Sequence, residues 1–345
     1  MNILNICSNK WHGGVEQSFI DLSSNLQQLN HEVTSVVYPG AKFIPILSQN
    51  SSLNIIQSTF TRRIAALFFL FAVIYFWLLI RKTKANLIII HNRKLLNIIH
   101  LAKTKTTKLI MINHGIKISS KAKKADLVVA VNMLMAQEYI NIGINHTFYL
   151  PNMVDASPQF YTKTPRSPII LGSFGRFTQE KGFAKLITVA KILNEKNFNF
   201  KLLLGGDGEQ RETIEVLINK HQLQSKVILS GWVKDKAEFF KQIDIFCLPS
   251  TYESFGIVIL EAMINSTPVI ATNTQGPLSL INNYNNGIIV DKESPASIAD
   301  SIIKLSSDLQ LYQTIANNAY QLVRTNFSTQ AYQRKLTQML QQLSV

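Results

Sequence analysis

The chain has 345 residues, 46% of them hydrophobic, and a formal net charge of +14. This length has room for two ordinary domains, and the composition is that of a globular protein. The basic balance indicates an anionic partner such as a membrane surface, a nucleic acid or an acidic glycan. Because the sequence has neither zinc-finger spacing nor an RNP-type aromatic motif, we expect no nucleic-acid partner.

Short apolar strands alternate with helical patterns along the whole sequence. In the first half the predicted strands are Ile3–Cys7, Val33–Tyr38, Leu53–Gln57, Leu87–His91, Lys108–Asn113, Asp126–Val131 and Thr147–Leu150. In the second half they are Ile169–Phe174, Phe200–Gly205, Val227–Ser230, Asp244–Leu248, Pro268–Ala271 and Gly287–Val290. This alternation is typical of parallel sheets with helices on both faces, so the predicted fold is α/β with two Rossmann-like domains. The predicted linker is Pro151–Pro168, which is rich in Pro, Ser and Thr.

The N-terminal segment is expected to be the first strand and not a signal peptide, because it lacks a basic start and a long apolar core. The two cysteines, Cys7 and Cys247, lie within predicted strands and far apart in sequence. We expect them to be buried thiols, which favours a reducing compartment.

Two glycines, Gly13 and Gly14, follow the first strand in the segment Trp11–Glu16 (WHGGVE). A helix is predicted to begin near Gln17. Glycines at such a turn allow the backbone to approach a phosphate closely, with the helix N-terminus behind it. A simple strand-to-helix turn is the alternative.

An uninterrupted apolar segment, Ile64–Ile80, is flanked by the basic pairs Arg62–Arg63 and Arg81–Lys82. Its length is at the lower limit for a membrane span. A true crossing would split one sheet across the bilayer, so we interpret the segment as a surface helix whose apolar side enters an anionic membrane. The side chains expected to insert include Phe69, Phe76 and Trp77. The alternative is a wholly buried core helix.

Two histidines, His91 and His114, end neighbouring predicted strands. A side chain at the carboxyl end of a parallel strand points toward the crevice in which α/β proteins bind ligands. His114 precedes Gly115 and is the stronger candidate for a site residue. For either histidine, ordinary hydrogen bonding within a loop is the alternative.

Arg176 and Lys181 are five residues apart in Gly172–Gly182 (GSFGRFTQEKG), a loop that follows a strand. A planar guanidinium and a mobile ammonium can converge on one dianion and stabilise the charge of a leaving diphosphate. Two solvated surface cations are the alternative. The chain contains no D-x-D sequence, which agrees with cationic side chains in place of a metal, so no metal site is predicted.

Glu253 and Glu261 form an E-x7-E pair that follows the predicted strand Asp244–Leu248. Gly256–Met263 is predicted to be a helix with Ser254 as its N-cap. The helix N-terminus can hold an anion such as pyrophosphate, whereas the carboxylates are suited to accept hydrogen bonds from hydroxyl groups. An anion site beside hydroxyl acceptors indicates a nucleotide-sugar. Two solvated carboxylates are the alternative.

In their order and spacing these motifs, together with Gly205–Gly208 (GGDG) and Gly231–Trp232, resemble the retaining GT-B glycosyltransferases of family 4, also called group 1. The resemblance implies a domain over residues 1–160, a nucleotide-sugar domain over 166–327 across a cleft from it, and a last helix, 328–345, that packs back on the first domain. It implies that His114 and Glu253 act at the transferred sugar and that Glu261 holds the ribose. The remaining donor-binding residues that it implies are Gly13, Gly14, Arg176, Lys181, Gly206, Trp232, Phe255 and Gly256.

The expected function is therefore retaining, metal-independent sugar transfer, without a cofactor, from a nucleotide diphosphate sugar to a lipid-linked or surface glycan at the cytoplasmic face of the cell membrane. A nucleotide-sugar epimerase or hydrolase on the same fold and a non-catalytic membrane-anchored protein are the alternatives. The chain departs from the family at Asn265–Val269 and Gly276–Ser279, which leaves the contacts to the donor sugar open. Gly205–Gly208 could be only a tight turn, and Trp232 could be a packed aromatic.

Overall fold

The computed structural model describes residues 1–11, 13–61, 65, 68–156 and 159–343. The chain divides into two compact units. The first consists of Met1–Met153 together with Thr329–Val345, and the second of Val154–Ser328. The division therefore falls at the start of the predicted linker, of which residues 157 and 158 lie outside the described ranges.

The first unit contains a seven-stranded parallel sheet in the order β3-β2-β1-β4-β5-β6-β7. Its strands are β1 (Asn2–Cys7), β2 (Glu32–Val37), β3 (Asn54–Gln57), β4 (Leu87–Ile90), β5 (Lys108–Asn113), β6 (Leu127–Ala130) and β7 (Thr147–Tyr149). Its helices up to the end of β7 are α1 (Gly14–Gln28), α2 (Ile44–Leu47), α3 (Phe69–Thr83), α4 (Leu96–Ala102) and α5 (Met133–Asn141). Short 3-10 helices lie at Thr59–Thr61, Arg93–Leu95 and Ser120–Lys124.

The second unit contains a six-stranded parallel sheet in the order β10-β9-β8-β11-β12-β13. Its strands are β8 (Ile169–Phe174), β9 (Phe200–Gly205), β10 (Val227–Gly231), β11 (Ile245–Leu248), β12 (Val269–Thr272) and β13 (Ile288–Val290). Its helices are a 3-10 turn at Gln179–Lys181 and α6 (Phe183–Glu195), α7 (Arg211–Lys220), α8 (Lys236–Gln242), α9 (Ile257–Ile264), α10 (Gln275–Leu280), α11 (Pro295–Ser307) and α12 (Leu309–Asn326). The last helix, α13 (Thr329–Gln342), belongs to the first unit.

The strands β4 and β11 are apolar throughout because helices cover both faces of each sheet. All four residues of β4 are buried, and so are all four of β11. Continuous burial of this kind is what distinguishes parallel strands from the alternating pattern of half-exposed antiparallel ones. Cys7 and Cys247 are free buried thiols, and burial raises the pKa of each thiol to about 12.

Each sheet reverses its strand order at one point, and several of the predicted site residues follow the strands at that point. In the first unit β1 pairs with both β2 and β4, and in the second β8 pairs with both β9 and β11. Such a switch point leaves a crevice outside the carboxyl ends of the strands, where α/β proteins bind ligands. The loops after β1 and β4 therefore lie at the crevice of the first unit, and those after β8 and β11 lie at the crevice of the second.

The predicted α/β fold is confirmed, and each of the thirteen predicted strands matches an observed strand to within one residue at each end. Helix starts were predicted less well. Helix α1 begins at Gly14 and not near Gln17, because Gly13 is extended at the N-cap position and its carbonyl accepts the Gln17 amide at 2.9 Å. The predicted apolar helix is observed as α3, whereas residues 64, 66 and 67 of the predicted segment lie outside the described ranges.

Candidate active site

Two loops at the switch point of the second unit are held against each other. β11 pairs with β8 through Ile245 and Leu171, so the loops that follow both strands leave the sheet side by side. The Thr251 amide donates to the Glu180 carbonyl at 2.8 Å. Gly182 has φ 70°, and a Cβ at this position would overlap the Pro249 carbonyl oxygen. A glycine is therefore needed here for conformation and for close approach.

This loop contact brings Lys181 and Glu253 together. The Lys181 Nζ lies 2.7 Å from the Glu253 Oε2, and the Glu253 side chain is only 12% exposed. The sequence predicted these residues for different parts of a donor, the diphosphate and the sugar. The ion pair offsets the negative charge of Glu253, so a diphosphate can approach Lys181 with less repulsion from the carboxylate.

Arg176 lies in the same loop as Lys181 but is exposed. Across the part of the chain that the structure describes, its guanidinium has no hydrogen-bond or ion-pair partner. Its carbonyl accepts the Thr178 amide at 2.8 Å, which shapes the turn that leads into the Gln179–Lys181 3-10 helix. The side chain is therefore available to an anionic ligand.

The second glutamate of the E-x7-E pair has a different cationic partner. Glu261 lies in the second turn of α9, where its Oε1 is 2.6 Å from the Nζ of Lys236 at the start of α8. The two carboxylates of the motif thus sit beside two lysines from separate elements. Lys236 was missed by sequence reasoning, because no motif marks it and only the fold brings α8 to α9.

Helix α9 begins one residue later than predicted, and its N-cap is Gly256 and not Ser254. Gly256 has φ 87° and ψ 60°, a left-handed conformation that glycine adopts at little cost. Its neighbour Phe255 is 3% exposed, with its ring 6.3 Å from that of Phe327, so the Phe255 side chain belongs to the core. Any contribution of Phe255 to a donor would come from its backbone.

Gly276, which directly precedes the residues that depart from the family pattern, supports the Glu253 loop. Its amide donates to the Glu253 carbonyl at 2.8 Å. A Cβ at Gly276 would lie 2.5 Å from the Phe255 carbonyl oxygen, so a glycine is required for this close packing. The departure that begins at Pro277 thus leaves the backbone support of Glu253 in place.

Gly206 and Trp232 follow β9 and β10, the two strands that lie on the opposite side of β8 from β11. The Gly206 amide donates to the Gly231 carbonyl at 2.6 Å, and a Cβ at Gly206, which has φ 139°, would overlap the Gly175 carbonyl oxygen. Trp232 follows β10 and is 59% exposed. The interpretation of Trp232 as a packed aromatic is therefore wrong, and its ring is available for stacking.

In the first unit, His91 and His114 form a hydrogen-bonded pair. The Nδ1 of His91 lies 2.9 Å from the Nε2 of His114, and the Nε2 of His91 lies 3.0 Å from the Oδ1 of Asn5 in β1. Burial lowers the pKa of His114 to about 4. Burial, and then the charge of His114, lowers the pKa of His91 well below its usual value. Both rings are therefore neutral at neutral pH.

A buried carboxylate occupies the first turn of α1, beside the predicted phosphate-binding glycines. Glu16 is 6% exposed, its Oε1 accepts a hydrogen bond from the Asn9 side-chain amide, and its Oε2 would lie 3.2 Å from a Cβ at Gly13. It already complements the positive end of the helix dipole. Sequence reasoning overlooked Glu16, although a glutamate at the third helical position is a recognised capping signal. His12 of this motif lies outside the described residues.

Comparison with known proteins matches both halves of the chain to glycosyltransferase families. Residues 12–157 match the family described as Glycosyltransferase Family 4, and residues 158–322 match Glycosyl transferases group 1. The chain belongs to the group 1 and family 4 glycosyltransferases. Its two Rossmann-like units are those of the GT-B fold.

One curated relative and two solved structures illustrate the similarity. The capsular polysaccharide biosynthesis glycosyltransferase CapM of Staphylococcus aureus is 33% identical over 180 residues, which are 52% of this chain and 47% of CapM. A glycosyltransferase of Rickettsia africae superposes with a TM-score of 0.85 at 23% identity, covering 99% of this chain and 98% of its own. Anabaena HepE, solved with UDP, gives 0.83 at 21%, covering 99% and 100%. The chain spans about half the length of the curated relatives it matches.

The residue ranges that the structure describes contain neither a cluster of metal-ligating side chains nor a helix that could span a membrane. In those ranges no three His, Cys, Asp or Glu side chains are grouped so that they could hold a metal ion. In the same ranges, every helix falls short of the length and apolarity that crossing a membrane requires.

Proposed function

We propose that this chain transfers a sugar from a nucleotide diphosphate donor to a lipid-linked or surface glycan, with retention of anomeric configuration and without a metal. The observation that supports this most is the Lys181–Glu253 ion pair of 2.7 Å at the switch point, next to the N-terminus of α9. We assign the cation of this pair to the diphosphate and its carboxylate to hydroxyl groups of the sugar. Among the relatives, HepE was solved with UDP, so uridine nucleotides are the first donors to try.

The proposed chemistry assigns each charged group a task. Arg176 and Lys181 stabilise the negative charge that grows on the diphosphate as the anomeric C–O bond breaks. The acceptor hydroxyl oxygen forms the new bond on the same face of the sugar, and its proton passes to the departing phosphate oxygen. Glu253 orients the sugar by accepting hydrogen bonds from its hydroxyls, and Glu261 does so for the ribose. We assign His114 to the transferred sugar as well.

A nucleotide-sugar hydrolase or epimerase on this fold is the second candidate. Both would use the same donor site, so donor binding does not separate them from a transferase. Product analysis does, because hydrolysis releases free sugar, epimerisation releases no nucleoside diphosphate, and transfer adds one sugar to an added glycan or glycolipid. A donor-dependent mass increase of the acceptor by one sugar would support transfer, and free sugar as the sole product would contradict it.

Helix α3 motivates the proposed location at an anionic membrane surface. One side of the helix is buried, through Ala72, Phe76, Leu79 and Ile80. The opposite side is apolar yet exposed, with Leu70 at 72%, Phe71 at 66% and Leu78 at 54%. The alternative of a wholly buried helix is therefore wrong. The prediction that Phe76 inserts is also wrong, because this ring is fully buried; Phe69 and Trp77 are each 37% exposed.

The distribution of charge agrees with a membrane-facing first unit. That unit contains 18 Lys and Arg against five Asp and Glu, a net charge of +13 out of the chain's +14. Residues 81–124, which begin in the last turn of α3, contain 12 Lys and Arg and no Asp or Glu. Basic residues near an anionic bilayer contribute about 1 kcal/mol each. We propose that the exposed side of α3 enters the lipid while this basic stretch binds the headgroups.

A further inference from the structure

Three hydrogen-bonded side chains form a row across adjacent strands of the first sheet. Asn5 is fully buried in β1, His91 follows β4, and His114 follows β5. β4 pairs with β1 on one side and with β5 on the other, so the three residues lie in or directly after three neighbouring strands. The phenyl ring of Phe19 packs edge-on against His91, the middle side chain of the three, with ring centroids 5.3 Å apart.

The orientation of the Asn5 amide is fixed by its other contacts. Its Nδ2 lies 2.9 Å from the Ser23 Oγ and 3.4 Å from the Phe19 carbonyl oxygen. A backbone carbonyl can only accept, so the NH₂ group of Asn5 must face it. The Oδ1 of Asn5 therefore faces the Nε2 of His91 at 3.0 Å. An amide oxygen only accepts, so the proton of His91 is on Nε2.

The same reasoning determines which nitrogen of His114 is protonated. A neutral imidazole has one N–H and one bare nitrogen, and the hydrogen bond of one nitrogen decides the state of the other. With its proton on Nε2, His91 can only accept at Nδ1. The His114 Nε2, 2.9 Å away, must then be the donor, which leaves the Nδ1 of His114 with a lone pair. In the described part of the chain, no group hydrogen-bonds to this Nδ1.

We propose that Asn5 and His91 are positioning residues that hold His114 in its Nε2–H tautomer, so that its Nδ1 accepts a hydrogen bond from a substrate hydroxyl. This inference rests on the proposed function for the identity of the hydroxyl, which belongs to the donor sugar or the acceptor glycan. The tautomer itself rests only on the contacts above. In this tautomer the Nδ1 of His114 can only accept, and His91 has a task that the sequence analysis did not assign to it.

The direct test is two-bond ¹H–¹⁵N correlation spectroscopy of the full chain labelled with ¹⁵N-histidine, without ligand, at neutral pH. The His114 signals are assigned by their loss in His114→Phe. We expect a pyrrole-type Nε2 and an imine-type Nδ1 for both His91 and His114. A protonated Nδ1 on His114 overturns the proposal, whether or not the chain transfers sugar.

The role of Asn5 is tested by two substitutions and a control. Asn5→Asp keeps an acceptor for His91 and should keep the His114 tautomer. Asn5→Leu removes the acceptor, and since one hydrogen bond is lost, the His114 tautomer ratio should move about threefold to tenfold toward Nδ1–H. Asn25→Leu, a change at another buried asparagine of this unit, should leave the ratio as it is. An unchanged ratio in Asn5→Leu overturns the positioning role. If that variant does not fold, His91→Phe serves instead, and it should likewise release the His114 tautomer.

The effect on activity is tested by measuring product formation with UDP-glucose as the first donor. Other common nucleotide-sugars are then tried in turn. Turnover should fall about tenfold in Asn5→Leu and stay within threefold of wild type in Asn5→Asp, at unchanged affinity for UDP. If wild type and Asn5→Leu turn over equally, the positioning role is contradicted while the proposed function stands. If wild type makes no product with any donor, the proposed function fails, and the tautomer measurement still decides the hydrogen-bond chain.

Discussion

At the scale of residues, the candidate site depends on pairs that the sequence could not reveal. The motifs identified Lys181 and Glu253 separately, but their ion pair requires two loops to touch, which a glycine at 182 permits. Likewise, the sequence placed His91 and His114 at the ends of two strands, whereas Asn5, in the middle of a strand, gave no signal as their partner. Contacts between side chains distant in sequence are set by packing, and a single sequence does not contain them.

The cations of the β8 loop are expected to act on the leaving diphosphate. Arg176→Ala or Lys181→Ala should lower turnover at least tenfold, because one lost charge-stabilising group costs about 3 kcal/mol in the transition state. The surface variant Lys191→Ala, which loses only an exposed ion pair with Glu195, should have wild-type turnover. Steady-state rates on purified protein check this. Full activity in an Arg176→Ala, Lys181→Ala double variant would refute the assignment.

The two glutamates are expected to have separable roles. Glu253→Gln should mainly impair sugar transfer, and Glu261→Gln should mainly weaken binding of the nucleoside diphosphate, since each carboxylate sits beside a different lysine. Titration calorimetry with UDP and, in turn, the other nucleoside diphosphates measures the difference. A larger loss of nucleotide affinity in Glu253→Gln than in Glu261→Gln would show that the roles are reversed.

The buried histidines predict a pH dependence of stability. In the folded chain the pKa of His114 is about 4, below its ordinary 6.5, and that of His91 is also lowered. Between about pH 6.5 and 4 the unfolded chain binds protons that the folded chain does not, so the free energy of unfolding should fall as the pH falls through this window. Urea titrations at several pH values should show a weaker dependence in His91→Phe and His114→Phe than in wild type. The exposed-residue variant His146→Phe serves as control, and an equal slope in all four proteins would contradict the prediction.

At the scale of elements, the strands were the most predictable part of the fold, because parallel strands buried on both faces are short uninterrupted apolar runs. Helix starts were harder, since Gly13 and Gly256 cap α1 and α9 by backbone conformation and not by a polar side chain. In α3 the sequence is apolar all round, so it could not say which side is buried. Only the packing shows that Phe76 faces inward and Phe71 outward.

The exposed side of α3 should decide membrane binding. Replacing Leu70, Phe71 and Leu78 with Ser should release the protein from vesicles containing phosphatidylglycerol, because these side chains supply the apolar insertion energy. The matched control replaces three exposed apolar residues of the second unit, Val216, Ile228 and Leu309, with Ser. Flotation with the vesicles at low and high salt measures binding, and salt alone should release little of the wild type. Equal flotation of the two triple variants would contradict a role for α3.

At the scale of the whole molecule, charge and chemistry are divided between the two units. The first has almost all of the net positive charge, the exposed apolar helix and the histidine pair, whereas the second has the Lys181–Glu253 pair and the E-x7-E motif. This division fits a first unit that meets a membrane-bound acceptor and a second that holds a soluble donor. The sequence predicted the two-unit plan because its motifs occur in the order of a known family, and the concentration of charge within residues 81–124 can likewise be read from the sequence.

The central claim is that the switch point of the second unit binds a nucleotide diphosphate sugar through Lys181. Thermal unfolding against a panel of UDP, GDP, ADP and CDP and their common sugar conjugates tests it most directly, because a ligand at 100 times its Kd stabilises the folded state by about 2.7 kcal/mol. We predict that at least one nucleotide raises the Tm of the wild type and that the shift is lost in Lys181→Ala but kept in Lys191→Ala. No shift with any nucleotide, or an equal shift in both variants, would contradict the account.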